Sequence, residues 1–246
     1  MNTSVRSARP DIMIDWVSQG TTLFEAAVSA LDDVEFARAS HLPGWSRAHV
    51  VAHVARNADA LVNLLDWART GVETPMYTSP DQRTTEIEAG ARLRPDALRA
   101  DLCAADARLA DAMAALPDAA WDAQVRTARG RLVPVSEVAW MRVREVWVHA
   151  GDLGAGVTFD AIPDEVCTAL LDDIAAAFRA RAEAPAVALR AEDGQRSWLL
   201  GAAEGADLVT VCGSIPSLAA YAAGRPVPGP LNTTSARPVP ALPAWL

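Results

Sequence analysis

Apolar residues fall at helical intervals along the first two-thirds of the chain. Ile12, Trp16, Leu23, Ala26, Ala27 and Leu31 predict a first helix from Asp11 to about Leu31. The loop ASHLPGW follows, and Ser46 is placed as the N-cap of a second helix running to about Arg69, with Val50, Val54, Leu61, Leu64 and Leu65 as its stripe. The polar stretch GVETPMYTSPDQRTTEIEAG is too long for a bare connection and predicts a short helix beginning near Pro80. A third long helix spans about Pro95 to Leu116, opened by one proline and closed by Pro117. AQVRTARGRLVPVS has the alternation and the Arg129-Gly130 turn of a small hairpin, and Ser136-Glu137 opens a fourth long helix that stops at its glycines. Four long amphipathic helices predict a bundle.

Beyond about Thr158 the pattern changes. One helix is predicted from Pro163 to about Ala184, then three β-like runs, AVALRA, SWLLGA and DLVTVCGSI, then a helical PSLAAYAAGR and a proline-rich tail. Strands grouped in this way give an α+β class, with an N-terminal four-helix bundle over 1–157 and a smaller C-terminal α+β domain over 158–246.

Composition narrows the field. The 246 residues carry a formal net charge of −9, which disfavours nucleic acid and anionic membrane as partners. Lysine is absent, so every basic side chain is arginine and an arginine by itself says little. No apolar stretch is long enough to cross a bilayer, and the N-terminal twenty residues lack the apolar core of a signal peptide. Cys103, Cys167 and Cys212 are odd in number and scattered, which suits small buried hydrophobes in a reducing cytoplasm.

The chain has only four histidines, so their placement is informative. His49 and His53 are four apart on the second helix, and Glu145 and His149 four apart on the fourth, so each pair shares a helix face. Facing helices of a bundle can bring such pairs together, and two imidazoles with one carboxylate form a known catalytic zinc set with an open fourth position. Spacing alone leaves the plainer alternative standing: hydrogen-bonded helix histidines and a Glu145 paired with an arginine. The apolar surroundings in HVVAHVA and REVWVHA favour a metal, because a buried carboxylate needs a strong partner.

WSRAHVVAHVARNADAL, GVETPMYTSP, PVSEVAWMRVREVWVHAGDLG and YAAGR, in this order over essentially the whole chain, resemble the mycothiol-dependent maleylpyruvate isomerase family. The resemblance implies a DinB-like metal bundle, a C-terminal domain similar to the sterol-carrier fold, and His53, Glu145 and His149 as zinc ligands, with His49 a neighbour. It further implies mycothiol as cofactor and a cis–trans isomerisation of maleylpyruvate to fumarylpyruvate in gentisate-type aromatic catabolism, by a cytoplasmic monomer. A zinc-bound thiolate would add reversibly to the double bond, using none of the protein's own cysteines. The substrate is a dianion, so arginines should clamp it. Arg225, in YAAGR, is the first candidate for binding substrate or polarising its oxo group, and Arg83 the second. Asp152 and Asn57, one turn beyond His149 and His53, are candidates for orienting the ligands. Trp45, Trp67, Trp140 and Trp147 are expected in the core. A mycothiol S-transferase and a non-enzymatic zinc or thiol sensor are the competing functions.

Overall fold

A computed structural model describes residues 10–181, 185–201, 208–235 and 237–245. Residues 1–9 of the N-terminal stretch considered above for a signal sequence, and the predicted helix end at Ala184, lie outside them. The chain divides into two compact units, drawn from Arg6–Gly156 and Val157–Leu246.

The first unit is built on α1 (Pro10–Ser29), α2 (Arg47–Thr70), α4 (Pro95–Ala114) and α5 (Ser136–Asp152), with α3 (Pro80–Ala91) alongside. These four close a ring: α1 packs on α4 and α5, and α2 packs on the same two, so α1 and α2 stand on a diagonal. The short helix expected near Pro80 is α3 itself, twelve residues long and beginning at Pro80. Between α4 and α5, β1 (Gln124–Arg126) and β2 (Leu132–Pro134) pair antiparallel as the expected hairpin.

Ser46 caps α2 as the sequence predicts, its hydroxyl accepting from the His49 amide. Val50, Val54, Leu61 and Leu64 are fully buried, but so are Val51, Ala52, Ala55 and Ala58. The 50–58 stretch of α2 is therefore buried nearly all round, as befits a helix covered by α3, α4 and α5, while Arg56, Asp59, Asn63 and Asp66 leave a half-exposed polar stripe. On α1 the stripe is offset from the expected one. Met13, Phe24, Ala27, Val28 and Leu31 are buried, whereas Ile12 is 45% exposed and Ala26 is also exposed. Neighbouring apolar residues at 12 and 13 fit either of two adjacent stripes, and periodicity alone does not choose between them.

Helix α3 sits against α2 because Gly90 carries no side chain. A Cβ there would lie 2.8 Å from the Cβ of Ala52. Among the described residues no helix is long and apolar enough to cross a membrane.

The second unit holds α6 (Asp164–Arg179), α7 (Ile215–Ala222) and a four-stranded sheet of order β4-β3-β5-β6. Strands β3 (Val187–Ala191) and β5 (Val209–Gly213) run parallel, while β4 (Ser197–Leu200) and β6 (Asn232–Thr233) are antiparallel neighbours on either side. Helix α6 packs on α7 and β4, and Phe159, Leu171, Ile174, Phe178, Leu189 and Val211 form the core. Strand β6 lies in the proline-rich tail, where the sequence predicts no strand: two residues are too few to show an alternation.

Of the cysteines, only Cys167 is the buried hydrophobe expected; Cys103 is exposed and Cys212 half-buried. The class is thus α+β, a helical bundle unit followed by a mixed unit.

Substituting Gly90→Val should lift α3 from α2, with a cost of about 1–3 kcal/mol, as overpacking commonly produces. Urea denaturation measures it, and adding Ala52→Gly should recover part of the loss by removing the atom that the introduced side chain meets.

Candidate metal centre in the helical bundle

Helices α2 and α5 adjoin, and each contributes part of one cluster. His53 comes from α2; Glu145 and His149, on successive turns of α5, face it. His53 Nε2 lies 2.9 Å from Glu145 Oε2 and 3.2 Å from His149 Nε2, and the third side, His149 Nε2 to Glu145 Oε2, is 3.2 Å. Zinc–ligand bonds of about 2.0–2.2 Å give a tetrahedral edge of about 3.3–3.6 Å, so three atoms 2.9–3.2 Å apart would spread by a few tenths of an ångström to hold one.

The fate of Glu145 Oε2 separates a metal site from an ordinary salt bridge. This oxygen is sealed from solvent and accepts no hydrogen bond, although two imidazole nitrogens stand within hydrogen-bond distance. Their N–H directions miss it. A buried carboxylate oxygen left in that state is costly, and a cation shared by the three donor atoms would satisfy it. Two neutral imidazoles and one carboxylate, with no fourth donor in the cluster among the described residues, fit a catalytic divalent metal.

The two histidines are held differently. His149 Nδ1 is 2.9 Å from Asp152 Oδ2, and Asp152 is fully buried. A carboxylate there fixes the ring so that Nε2 faces the cluster. The end of α5 that carries both residues is itself tied down: Arg47 donates to the carbonyls of Leu153 (3.1 Å) and Gly154 (2.5 Å), and the His41 amide donates to Asp152 O (2.8 Å). A guanidinium on the last carbonyls also suits the helix dipole.

His53 has no such acceptor. Its Nδ1 lies 3.2 Å from Arg83 Nη2, on α3. Arginine only donates, so Nδ1 accepts and the ring proton resides on Nε2. With Nε2 given to a metal, the proton would stand on Nδ1, where Arg83 has nothing to donate to. Arg83 is then available to another acceptor.

Titration follows this geometry. Burial lowers His53 below its usual range despite the pull of Glu145. Burial opposes ionisation of Glu145, but His53 and His149 outweigh it and hold the carboxyl well below its usual range. Burial also opposes protonation of His149, yet the carboxylates of Asp152 and Glu145 prevail and push it up to about 9.

The remaining expected residues sort clearly. His49 stays outside the cluster: its Nδ1 is 2.7 Å from Ser46 Oγ, closing the α2 capping box, and its Nε2 is 3.5 Å from Glu88. Asn57 does not orient His53; its Oδ1 accepts from Arg142 Nη1 at 2.9 Å. Trp140 and Trp147 are core residues, whereas Trp45 and Trp67 are half-buried, and Trp45 meets His53 edge-on at 5.4 Å between ring centres. Tyr77, not singled out from the sequence, lies at the same place: burial pushes its phenol up, and Arg83 and Glu145 are among the groups acting on it. GVETPMYTSP contains it, but a lone tyrosine in a polar connection carries no chemical signal.

Arg225 belongs to the second unit. Its amide donates to Ala220 O (2.8 Å) and that of Gly224 to Tyr221 O (3.0 Å), with Gly224 at φ +68°. These are the two bonds of a Schellman cap on α7, so the AAGR sequence fixes where the Arg225 side chain starts. Its guanidinium donates to Ala223 O at 2.8 Å.

Comparison with known proteins gives a consistent picture. Residues 17–154 match the family model described as the mycothiol maleylpyruvate isomerase N-terminal domain. Crystal structures of a mycothiol-dependent maleylpyruvate isomerase and of its histidine-to-alanine variant each superpose with a TM-score of 0.91 at 40% identity, covering 99% of this chain and 100% of that one. YfiT from Bacillus subtilis, described as having an unusual four-helix bundle topology, gives a TM-score of 0.51 at 16% identity, over 63% of this chain and 89% of its own, a likeness of fold. Comparison with curated protein sequences gives no match.

Binding of Zn2+ at pH 7 should release about one proton. His149, raised to about 9, is protonated there and must surrender Nε2, while His53 and Glu145 are already deprotonated. Affinity should therefore rise with pH up to about 9. Calorimetry in buffers of different ionisation enthalpy reads the proton count, and a count of zero contradicts this electrostatic account.

Proposed function

Because the chain belongs to the mycothiol maleylpyruvate isomerase family, we propose that it converts maleylpyruvate to fumarylpyruvate, with mycothiol as cofactor and a zinc ion held by His53, Glu145 and His149. The reaction class is cis–trans isomerisation, serving gentisate-type aromatic catabolism. The observation carrying this reading is the convergence of three donor atoms from α2 and α5 around a carboxylate oxygen that accepts no hydrogen bond.

Zinc bound there supplies Lewis acidity, which keeps a coordinated thiol deprotonated at neutral pH, where a free thiol of pKa about 8.5 is mostly protonated. Held by His53, Glu145 and His149, the metal with its thiol would supply a nucleophile for reversible addition to the double bond, the electron pair passing to the conjugated oxo group and back, so that cis would become trans with no atom gained or lost. No hydride donor enters, and Cys103, Cys167 and Cys212 take no part.

The protein's own groups bind and orient. Asp152 holds His149 with Nε2 toward the cluster. Arg83, adjacent to His53, offers a guanidinium to a substrate carboxylate. Arg225, whose backbone the α7 cap fixes, is the second unit's candidate for binding substrate or polarising its oxo group. Trp45 covers one side of the His53 ring and limits water access there.

Purified protein with zinc, mycothiol and maleylpyruvate should form fumarylpyruvate, followed by absorbance. Conjugation of a general electrophile without isomerisation would replace this reading by an S-transferase, and thiol binding without turnover by a sensor. His53→Ala should lose stoichiometric zinc and His49→Ala keep it. Arg83→Ala and Arg225→Ala should each lower kcat/KM by about 10–100-fold, the scale of a lost charged hydrogen bond.

A further inference from the structure

One turn from the metal cluster, the bundle core contains a second polar layer that the proposed reaction does not use. Arg142 of α5 is 0% exposed, the largest fully buried side chain among the described residues. Its Nη1 donates to Val54 O (2.8 Å) and Asn57 Oδ1 (2.9 Å) on α2, and its Nη2 pairs with Asp106 on α4. A single guanidinium thus joins three helices.

Stability alone does not account for it. A buried ion pair is often matched or exceeded by apolar residues of similar volume, because both charges must first be desolvated. The layer is also imperfect, since Arg142 Nε and Asp106 Oδ2 make no hydrogen bond, and burial raises Asp106 to about 6 even against the attraction of Arg142. What it does provide is register. Residues 142, 145 and 149 share a face of α5, and residues 53 and 57 share a face of α2. The Arg142–Asn57 layer therefore lies one helical turn, roughly 5.4 Å, from His53 and Glu145, and two turns from His149.

We propose that Arg142 is a positioning residue for the metal centre: bridging α5 to Val54 and Asn57, it sets the spacing at which His53 meets Glu145 and His149. This rests on the metal reading given above. Apolar contacts between helices permit small slips, whereas metal ligation tolerates only about 0.2 Å in a ligand distance. Two directional hydrogen bonds of 2.8 and 2.9 Å, one to the carbonyl of the residue that follows His53, remove that freedom.

The test compares the parent with Arg142→Met/Asp106→Leu, which replaces the pair by apolar side chains and strands neither charge. Zinc affinity is measured by chelator competition, geometry by the visible spectrum of the Co2+-loaded protein, and stability by thermal unfolding without metal. The double variant should keep its metal-free Tm within a few degrees, bind zinc about 10–100-fold more weakly, and show displaced Co2+ bands. A folded variant with parental affinity and parental bands overturns the proposal. Should the double variant not fold, Asn57→Ala, which leaves the Arg142–Asp106 pair in place, should still weaken zinc binding several-fold and shift the bands; parental values for it overturn the proposal equally. If the parent itself binds no zinc, the metal reading fails and this inference with it, an outcome distinct from parental behaviour in the variants.

Discussion

A carboxylate oxygen enclosed in a helical bundle has to be compensated, and the arrangement around Glu145 is organised by that requirement. Oε2 makes no hydrogen bond while two imidazole nitrogens converge on the same point. An ion pair with either histidine alone would have been met by turning a ring a little. Instead Asp152 and the pinned end of α5 hold His149 in its orientation, and His53 is packed within a stretch of α2 that is buried nearly all round. The three donor atoms stand 2.9–3.2 Å from one another around a shared centre, an arrangement suited to a cation.

The two histidines divide the work unequally. His149 has a carboxylate behind it and belongs to a helix that also supplies Glu145, so these two donors move as one body. His53 comes from the opposite helix and has a guanidinium behind it. The α5 pair is thus the fixed half of the site, and the α2 ligand is the half whose placement depends on how the bundle packs. That asymmetry explains why polar cross-links between α2 and α5 matter more here than those within either helix.

Much of this was legible in the sequence, for identifiable reasons. Ser46, Pro95, Gly130 and Ser136 mark element boundaries because capping and turn chemistry are local. The Glu145–His149 spacing and the rarity of histidine pointed to the cluster, and the family resemblance selected His53 over His49. The structure adds the reason: His49 is engaged by Ser46 at the helix start. Less legible were features decided between elements. Ile12 and Met13 differ only in which neighbour covers them, and the burial of the 50–58 stretch of α2 on nearly all sides follows from α3 lying over it. Asn57 looked like a partner for His53 because the two share a face, but the nearer hydrogen bond comes from another helix. Arg142 gave no sign at all, because in a chain whose basic residues are all arginine a buried one looks like any other.

The contact between Gly90 and Ala52 has a consequence for how such a protein can diverge. Helix α3, which carries Arg83, is seated on α2 by two small residues and not by the polar connection that leads into it. The exposed residues 71–73 are consequently relieved of any duty to place Arg83 and can drift in length and chemistry, whereas Met76 is buried, Tyr77 stands beside Arg83, and Thr78 and Ser79 bond to the start of α3. Insertions or losses in that exposed stretch can thus accumulate without disturbing the layer of His53, Glu145 and His149, because α3 is seated by a contact made elsewhere.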